Sequence, residues 1–521
     1  METTANEGAL LQASCVKTKT QESTMDDIAI SHAFIDGSIV QRKKSTTNKT
    51  LLPARVQLGV MAFFMFLVTQ MIRSNLYIAR VGMMQNENAT NESQINKITW
   101  DEQETGMVLS AFYWSYWITE LPGGLLAQRF GGCRVLGFSV LLAGLVNLAF
   151  PLACKAHYGL AAILRAVQGL ALGVTWPATH ALSAHWIPSI ERSKFMTTYH
   201  GSAVGTALTY PLSGLLMAAL DWEYVFYVTG GLTIFWYAFW WYLVYDTPAQ
   251  HPRISNAERK YLERAIGDSV ASHKSSLLKT PWISILKSGP FWAVLLASQG
   301  LMWGTITLSM QLPAYFKSVH MLDIKTNGFV SGIPELCKFG FSIIFSTLMD
   351  YILRKEYLTI TSVRKISVAT SEFLPAVLLL VLAFLSKESA IVAVVLLAAA
   401  SAVGGASSSG SLPNIVDLSP NFAGTLLGII KTLTLIPGVL SPNAVSLLVN
   451  SFGPVNCWFY IFISMAVIYL TCGTIFVLLG SGEVQAWNQP QFKELSTTVE
   501  NEASVTNCEP NDNNSETFPK I

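Results

Sequence analysis

The sequence is short of charge. Of its 521 residues only 13% are Asp, Glu, Lys or Arg, against roughly 25% in an ordinary soluble chain. Hydrophobic residues make up 51%, and the mean hydropathy is +0.41. A deficit of that size excludes a protein whose side chains mostly face water. The remaining charges nearly cancel, with 34 Lys and Arg against 33 Asp and Glu and a formal net charge of +1. No global field favours nucleic acid, so no such partner is expected. Cysteine patterning is also missing. Cys15, Cys133, Cys154, Cys337, Cys457, Cys472 and Cys508 are scattered without CxxC or Cys/His spacing. That argues against a disulfide framework or a zinc site, and no metal is expected. No cleavable signal peptide is expected either. The first stretch is polar, and Arg42, Lys43 and Lys44 precede the first apolar run, which is expected to act as the insertion signal.

What the chain does have is long apolar runs. A spanning helix needs ~20 mostly apolar residues. Such runs lie near 56–78, 105–127, 134–154, 160–183, 197–219 and 222–244, then near 289–312, 326–349, 366–386, 389–413, 422–448 and 455–480. The expected fold is an all-α polytopic membrane protein with twelve transmembrane helices in two six-helix halves. The expected organisation is a polar arm over 1–54, a first half over 55–245, a central loop over 246–287, a second half over 288–480 and a polar tail over 481–521.

Lys and Arg gather in alternate loops: Arg42 to Arg55, Arg129 and Arg134, Arg192 and Lys194, Arg253 to Arg264, and Arg354 to Lys365. The positive-inside rule then puts both termini in the cytoplasm, which requires an even number of spans. The 78–104 loop falls on the other side. It carries Asn88-Ala-Thr90 and Asn91-Glu-Ser93, so Asn88 and Asn91 are candidate glycosylation sites.

Two short basic turns recur at matching places, after the second span (Gln128 to Arg134) and after the eighth (Asp350 to Lys355). Their repetition points to a duplicated transporter fold with its site between the halves. Arg129, Arg134, Asp350 and Arg354 are expected to be gating or structural contacts between helix ends.

Several motifs occur in order. Trp100-Asp101 precedes Phe112-Tyr-Trp-Ser-Tyr116 and Leu121-Pro-Gly-Gly124. Leu164-Arg165-Ala-Val-Gln168-Gly169 runs into Gly173-Val-Thr-Trp-Pro-Ala-Thr-His180. Glu191-Arg-Ser193, Asp246-Thr-Pro248, Leu312-Pro-Ala-Tyr315 and Asp417-Leu-Ser-Pro420 follow. Together they resemble the major facilitator superfamily, and within it solute carrier family 17, over roughly 54–490. The resemblance implies alternating access and an anionic solute such as phosphate, a sialic-acid-like sugar or another carboxylate.

Charges inside a membrane face a cavity, a partner or a function. Arg73 lies well inside the first run and matches the family's substrate arginine. Its planar fork of donors suits carboxylate or phosphate. Arg165 and Gln168, at i and i+3 in the fourth span, are candidate second contacts or a lock between helices. His180 matches a family histidine. Tyr113 and Tyr116 carry hydroxyls at i, i+3 and are candidates to line a cavity. Two departures stand out. Leu172 stands where relatives carry a proton-coupling glutamate, and Leu301 stands where vesicular glutamate transporters carry an arginine. Conversely, Glu120, Glu335, Lys338 and Lys431 are charges where relatives usually have none. Glu120 and Glu335 are candidate coupling carboxylates, or either pairs with Lys431.

The expected function is secondary active transport of a small anion, coupled to Na+ or H+, by a protein working as a monomer in the bilayer. The alternatives are a non-transporting anion sensor and a facilitative carrier driven by membrane potential. An enzyme is not expected, since no intramembrane metal cluster, Ser/His pair or phosphate-cradling loop is present. The plasma membrane and an endolysosomal or vesicle membrane both fit.

Overall fold

The computed structural model describes residues 53–84, 98–188, 191, 195–273, 281–385 and 389–488. Asn88 and Asn91 lie outside the described residues, as do Arg42 to Lys44. The described chain is helical almost throughout. The first half comprises α1 (Ala54–Met83), α2 (Glu102–Phe130), α3 (Gly132–Ala156), α4 (Tyr158–Gly173), α5 (Thr175–Trp186), α6 (Gly201–Ala219) and α7 (Glu223–Leu243). After α8 (Asn256–His273), the second half comprises α9 (Gly289–Ser318), α10 (Ile324–Arg354), α11 (Ile360–Leu385), α12 (Ala390–Gly404), α13 (Ser411–Leu418), α14 (Ala423–Leu433) and α15 (Ile436–Leu479).

Local chemistry sets the boundaries. Asp101 caps α2 in a capping box: Glu104 N donates to Asp101 Oδ1 at 2.6 Å, and Asp101 N donates to Glu104 Oε2 at 3.0 Å. Asp323 caps α10 by accepting from Thr326 N at 3.0 Å. The fourth apolar run breaks at Val174 into α4 and α5. Pro177 explains the break, because it has no N–H to offer the Gly173 carbonyl. The α15 helix is likewise two segments. Gly453 inside it has φ 78° and ψ 166°, a left-handed conformation that glycine tolerates, and Pro454 follows.

Among the described residues, nine helical stretches are long and apolar enough to cross a membrane. The α2 and α7 helices have the length, at 29 and 21 residues, but carry Glu102, Glu104 and Glu120 or a run of Trp and Tyr that lowers their hydropathy. With these two, and with the last stretch divided at Gly453, the described helices are consistent with the twelve spans that the apolar runs led one to expect. The central stretch departs from its reading as a plain loop. Glu258 of α8 accepts from Ala54 N at 3.0 Å and Arg55 N at 3.1 Å, so α8 caps the start of α1.

Small residues let helices approach where lipid gives no hydrophobic drive. A Cβ at Gly169 would fall 2.1 Å from the Phe112 carbonyl oxygen, and one at Gly173 would fall 2.3 Å from that of Tyr116. These two glycines, one turn apart, seat α4 on α2.

The halves are clasped toward the Asp101 end. Tyr210 of α6 donates to the Ser309 carbonyl of α9. Arg80 of α1 donates to the Met310 carbonyl at 3.1 Å and to Gln311 Oε1. Ser446 of α15 donates to the Glu102 carbonyl of α2 at 2.6 Å. Beside them, Gly214 of α6 lies against Gly328 of α10.

Candidate functional site

Arg73 projects from the interior of α1 and is half-buried. Its Nε donates to the Tyr113 hydroxyl at 3.1 Å, which lies 3.0 Å from the Tyr77 hydroxyl. The guanidinium carbon stands 4.7 Å from the Tyr113 ring centroid, 5.4 Å from that of Phe112 and 5.5 Å from that of Tyr116. Helical spacing builds this cage. Tyr77 is one turn beyond Arg73, while Phe112, Tyr113 and Tyr116 share a face of α2. Such ring faces attract a cation by on the order of 0.5–2 kcal/mol each. Among the described residues no carboxylate comes within 4.0 Å of Arg73; the ion pairs present are Arg55–Glu191, Lys155–Glu223, Arg259–Glu263 and Arg364–Asp417.

Tyr113 and Tyr116 are 2% and 4% exposed, so they form the walls of the Arg73 cage and not an open lining. Tyr113 also touches the other half, since a Cβ at Gly438 would fall 2.2 Å from its ring.

Lys431 of α14 reaches toward the same region. Its Nζ lies 5.3 Å from the Trp176 ring centroid. Trp176 stacks on Tyr199 at 4.5 Å, and Tyr199 stacks on His180 at 5.3 Å, giving one aromatic wall. His180 itself is exposed. Glu120 of α2 has one carboxylate oxygen, Oε2, buried without a hydrogen-bond partner, and the charges of Lys431 and Arg73 both act on it.

The close ion pair considered between Lys431 and Glu120 or Glu335 is not formed. Lys431 sits over an aromatic face instead. Glu335 is turned into the second half, where it accepts from Ser309 Oγ at 2.7 Å. Lys338 donates to Thr305 Oγ1 at 3.0 Å beside it. Leu301, Pro375 and Tyr469 close the small cavity that these groups share.

Arg165 and Gln168 belong to a buried network, not to a surface a solute could reach. Arg165 is 2% exposed and Gln168 fully buried. Arg165 donates to the Ile72 carbonyl at 3.1 Å, to Gln168 Oε1 at 3.2 Å and to Asn75 Oδ1 at 3.1 Å. Asn75 and Gln168 then both donate to Asn147 Oδ1, and Asn147 donates to Thr229. This network, in which Arg165 Nε alone is left without a partner, ties α1, α3, α4 and α7 together.

The four turn charges are not brought together. Arg129, Arg134, Asp350 and Arg354 are all exposed, and Arg129 lies only against the ring of its neighbour Phe130. The α2–α3 turn is held by Asp246, whose Oδ1 accepts from Cys133 N at 2.6 Å. On the same side of the second half, Arg364 pairs with Asp417 at 2.7 Å and donates to the Ser409 carbonyl at 2.8 Å.

Two residues escaped the sequence reading. Arg80 lies past the end assigned to the first run, because α1 continues to Met83. Glu372 is 1% exposed inside α11, with Oε2 unpartnered and Gly300 and Gly473 beside its carboxylate. A lone acidic residue in the 366–386 run was its only signal.

A model of the Major Facilitator Superfamily matches residues 58–442. The chain belongs to this superfamily. Sialin of Homo sapiens is 34% identical over 457 residues, covering 83% of this chain and 90% of sialin. Vesicular glutamate transporter 2 of Homo sapiens is 33% identical over 449 residues, covering 84% and 76%. These relatives place the chain in solute carrier family 17. An inward-open structure of the xylose transporter XylE from E. coli aligns with a TM-score of 0.62 at 12% identity, over 81% of this chain and 95% of that one. An inward-facing bacterial homologue of the lysosomal transporter Spinster aligns at 0.61. The superfamily assignment makes the protein an integral membrane transporter and not an enzyme.

Proposed function

We propose that the protein is a secondary active transporter of small anions that works by alternating access, with Arg73 as the anion ligand. One observation carries the reading: a half-buried guanidinium in the middle of a span, oriented by tyrosine and left without a carboxylate. A buried charge without a partner is costly, and a bound carboxylate or phosphate repays that cost. The relatives support an acidic solute, one being a glutamate transporter by name. Leu172 is 2% exposed and apolar, so a proton or sodium ion that couples to transport uses a different group. The positive-inside pattern supports cytoplasmic termini, and with them an inward-facing arrangement clasped on the outer or lumenal side. Asn88 and Asn91 would then be available for glycosylation. A vesicle or lysosomal membrane is the proposed location, and a monomer the proposed working unit.

The test is uptake of labelled phosphate, glucuronate, N-acetylneuraminate and glutamate into proteoliposomes, at two pH values, with and without sodium. Uptake of at least one, lost in Arg73→Ala, supports the reading. Full uptake by Arg73→Ala, or no uptake of any anion by the parent protein, overturns it.

A further inference from the structure

Lys431 and Glu120 approach the same region from opposite halves, one on α14 and the other on α2. An ammonium inside a span is costly unless a counter-charge meets it. Among the described residues none comes within 4.0 Å of Lys431. It rests on Trp176, a ring contributed by the other half. Arg73 is in the same condition, caged by aromatic rings and unpaired. Glu120 feels both cations, yet its Oε2 has no hydrogen-bond partner. Two unpaired cations, one from each half, thus attend one carboxylate. With all three ionised, one positive charge remains uncompensated, which is the charge that a single small anion neutralises.

Resting on the anion-transport reading above, we propose that Lys431 is the second anion contact of the site. A carboxylate or phosphate binds between Arg73 of the first half and Lys431 of the second, and Glu120 is the internal counter-ion that the anion displaces. The chemistry of the two cations is complementary. Arg73 is a planar fork held in one orientation by Tyr113, whereas Lys431 is a point charge on a flexible stem that can follow its ligand. The α14 helix suits this motion. It has 11 residues and ends at a break over Thr434 and Leu435, just before Pro437. A cation on an aromatic face is held more weakly than one on an anion, so Trp176 serves as a resting place.

The arrangement also answers a requirement of alternating access. A ligand shifts a conformational equilibrium only as far as it binds one state better than the other. An anion touching Arg73 alone would report nothing about the second half. Lys431 supplies the contact that changes when the halves rock.

The test uses purified full-length protein in proteoliposomes, with the four anions named above as probes. Lys431→Gln should raise KM at least about tenfold for the anions transported, while Lys431→Arg stays within about threefold of the parent. Glu120→Gln should lower KM, since the competing carboxylate is gone, and should favour phosphate over glucuronate. A second readout does not depend on turnover. Anion binding should change tryptophan fluorescence as Lys431 leaves Trp176, and that change should vanish in Trp176→Phe and Lys431→Gln. An unchanged KM in Lys431→Gln, or no fluorescence change in the parent protein, overturns the inference. If Arg73→Ala is inactive in the same series, the anion-transport reading survives that failure. If Arg73→Ala is fully active, the reading itself falls.

Discussion

The ring of Tyr113 lies so close over Gly438 that any side chain at 438 would collide with it at 2.2 Å. The two residues belong to different halves, and the Tyr113 hydroxyl also holds Arg73 at 3.1 Å. Movement between the halves is therefore felt one residue away from the candidate ligand. Gly438→Ala should displace Tyr113 and loosen Arg73. A KM increase of about five- to tenfold is expected, from the loss of one hydrogen bond of about 1 kcal/mol or slightly more. Tyr113→Phe should reproduce most of it, as measured by concentration-dependent uptake.

Tyr210→Phe should weaken the clasp at the Asp101 end. It removes the hydroxyl that donates to Ser309 while keeping the ring. A loss of about 1 kcal/mol shifts a two-state equilibrium about fivefold. A cysteine placed at Met310, a fully buried position, should then react about fivefold faster with a membrane-impermeant thiol reagent. An unchanged rate would show that this contact does not help to hold the end closed.

Gly173→Val should prevent proper assembly. The added Cβ falls 2.3 Å from the Tyr116 carbonyl oxygen and 2.2 Å from Thr119 Oγ1. Backbone cannot yield as a flexible side chain does, so the cost should reach about 3 kcal/mol or more. Size-exclusion profiles and melting temperature in detergent would read it.

His251 predicts a pH dependence of stability. It follows α7 outside the spans, is 5% exposed, and packs against the rings of Trp186 and Tyr245. Burial disfavours the imidazolium and holds its pKa below the usual histidine value of about 6.5. As pH falls through that value, the unfolded chain takes up the proton first. Stability is thus full above about pH 6.5 and declines as the pH drops toward the depressed folded value. Thermal unfolding at pH 7.5 and 5.5 should show the drop, and His251→Phe should flatten it.

Asp417→Asn should destabilise the second half by about 2 kcal/mol, because the partly buried Arg364 loses the negative charge that it meets at 2.7 Å and keeps only neutral acceptors such as the Ser409 carbonyl. The double variant Arg364→Gln/Asp417→Asn should recover part of the loss, as a double-mutant cycle in detergent would measure.

The spans were legible because burial in lipid imposes a length and a composition on each one, and the sequence shows both directly. Arg73 was legible for the same reason, as a charge far inside an apolar run. Its condition was not. Whether Arg73 and Arg165 face a partner or a vacancy depends on α2, α3 and α7, which lie tens of residues away in the chain. The structure separates two arginines that look alike in sequence: Arg165 directs its two terminal nitrogens to Ile72, Gln168 and Asn75, and Arg73 has no carboxylate within ion-pair distance. The same holds for Glu120, Glu335 and Lys431. Their pairing is a matter of distance between helices, and helical periodicity carries no information about which neighbour a face will meet.

The amino-acid sequence by itself determined an all-helical membrane protein with a cationic residue in its first span, since apolar length and local capping are properties of short segments. Only the tertiary structure decided that the helices clasp at the Asp101 end, that Tyr113 couples Arg73 to Gly438, and that Lys431 rests on Trp176. Each of those is a contact between segments far apart in sequence, fixed by how small residues let the helices approach and by which polar groups must be satisfied where water is absent.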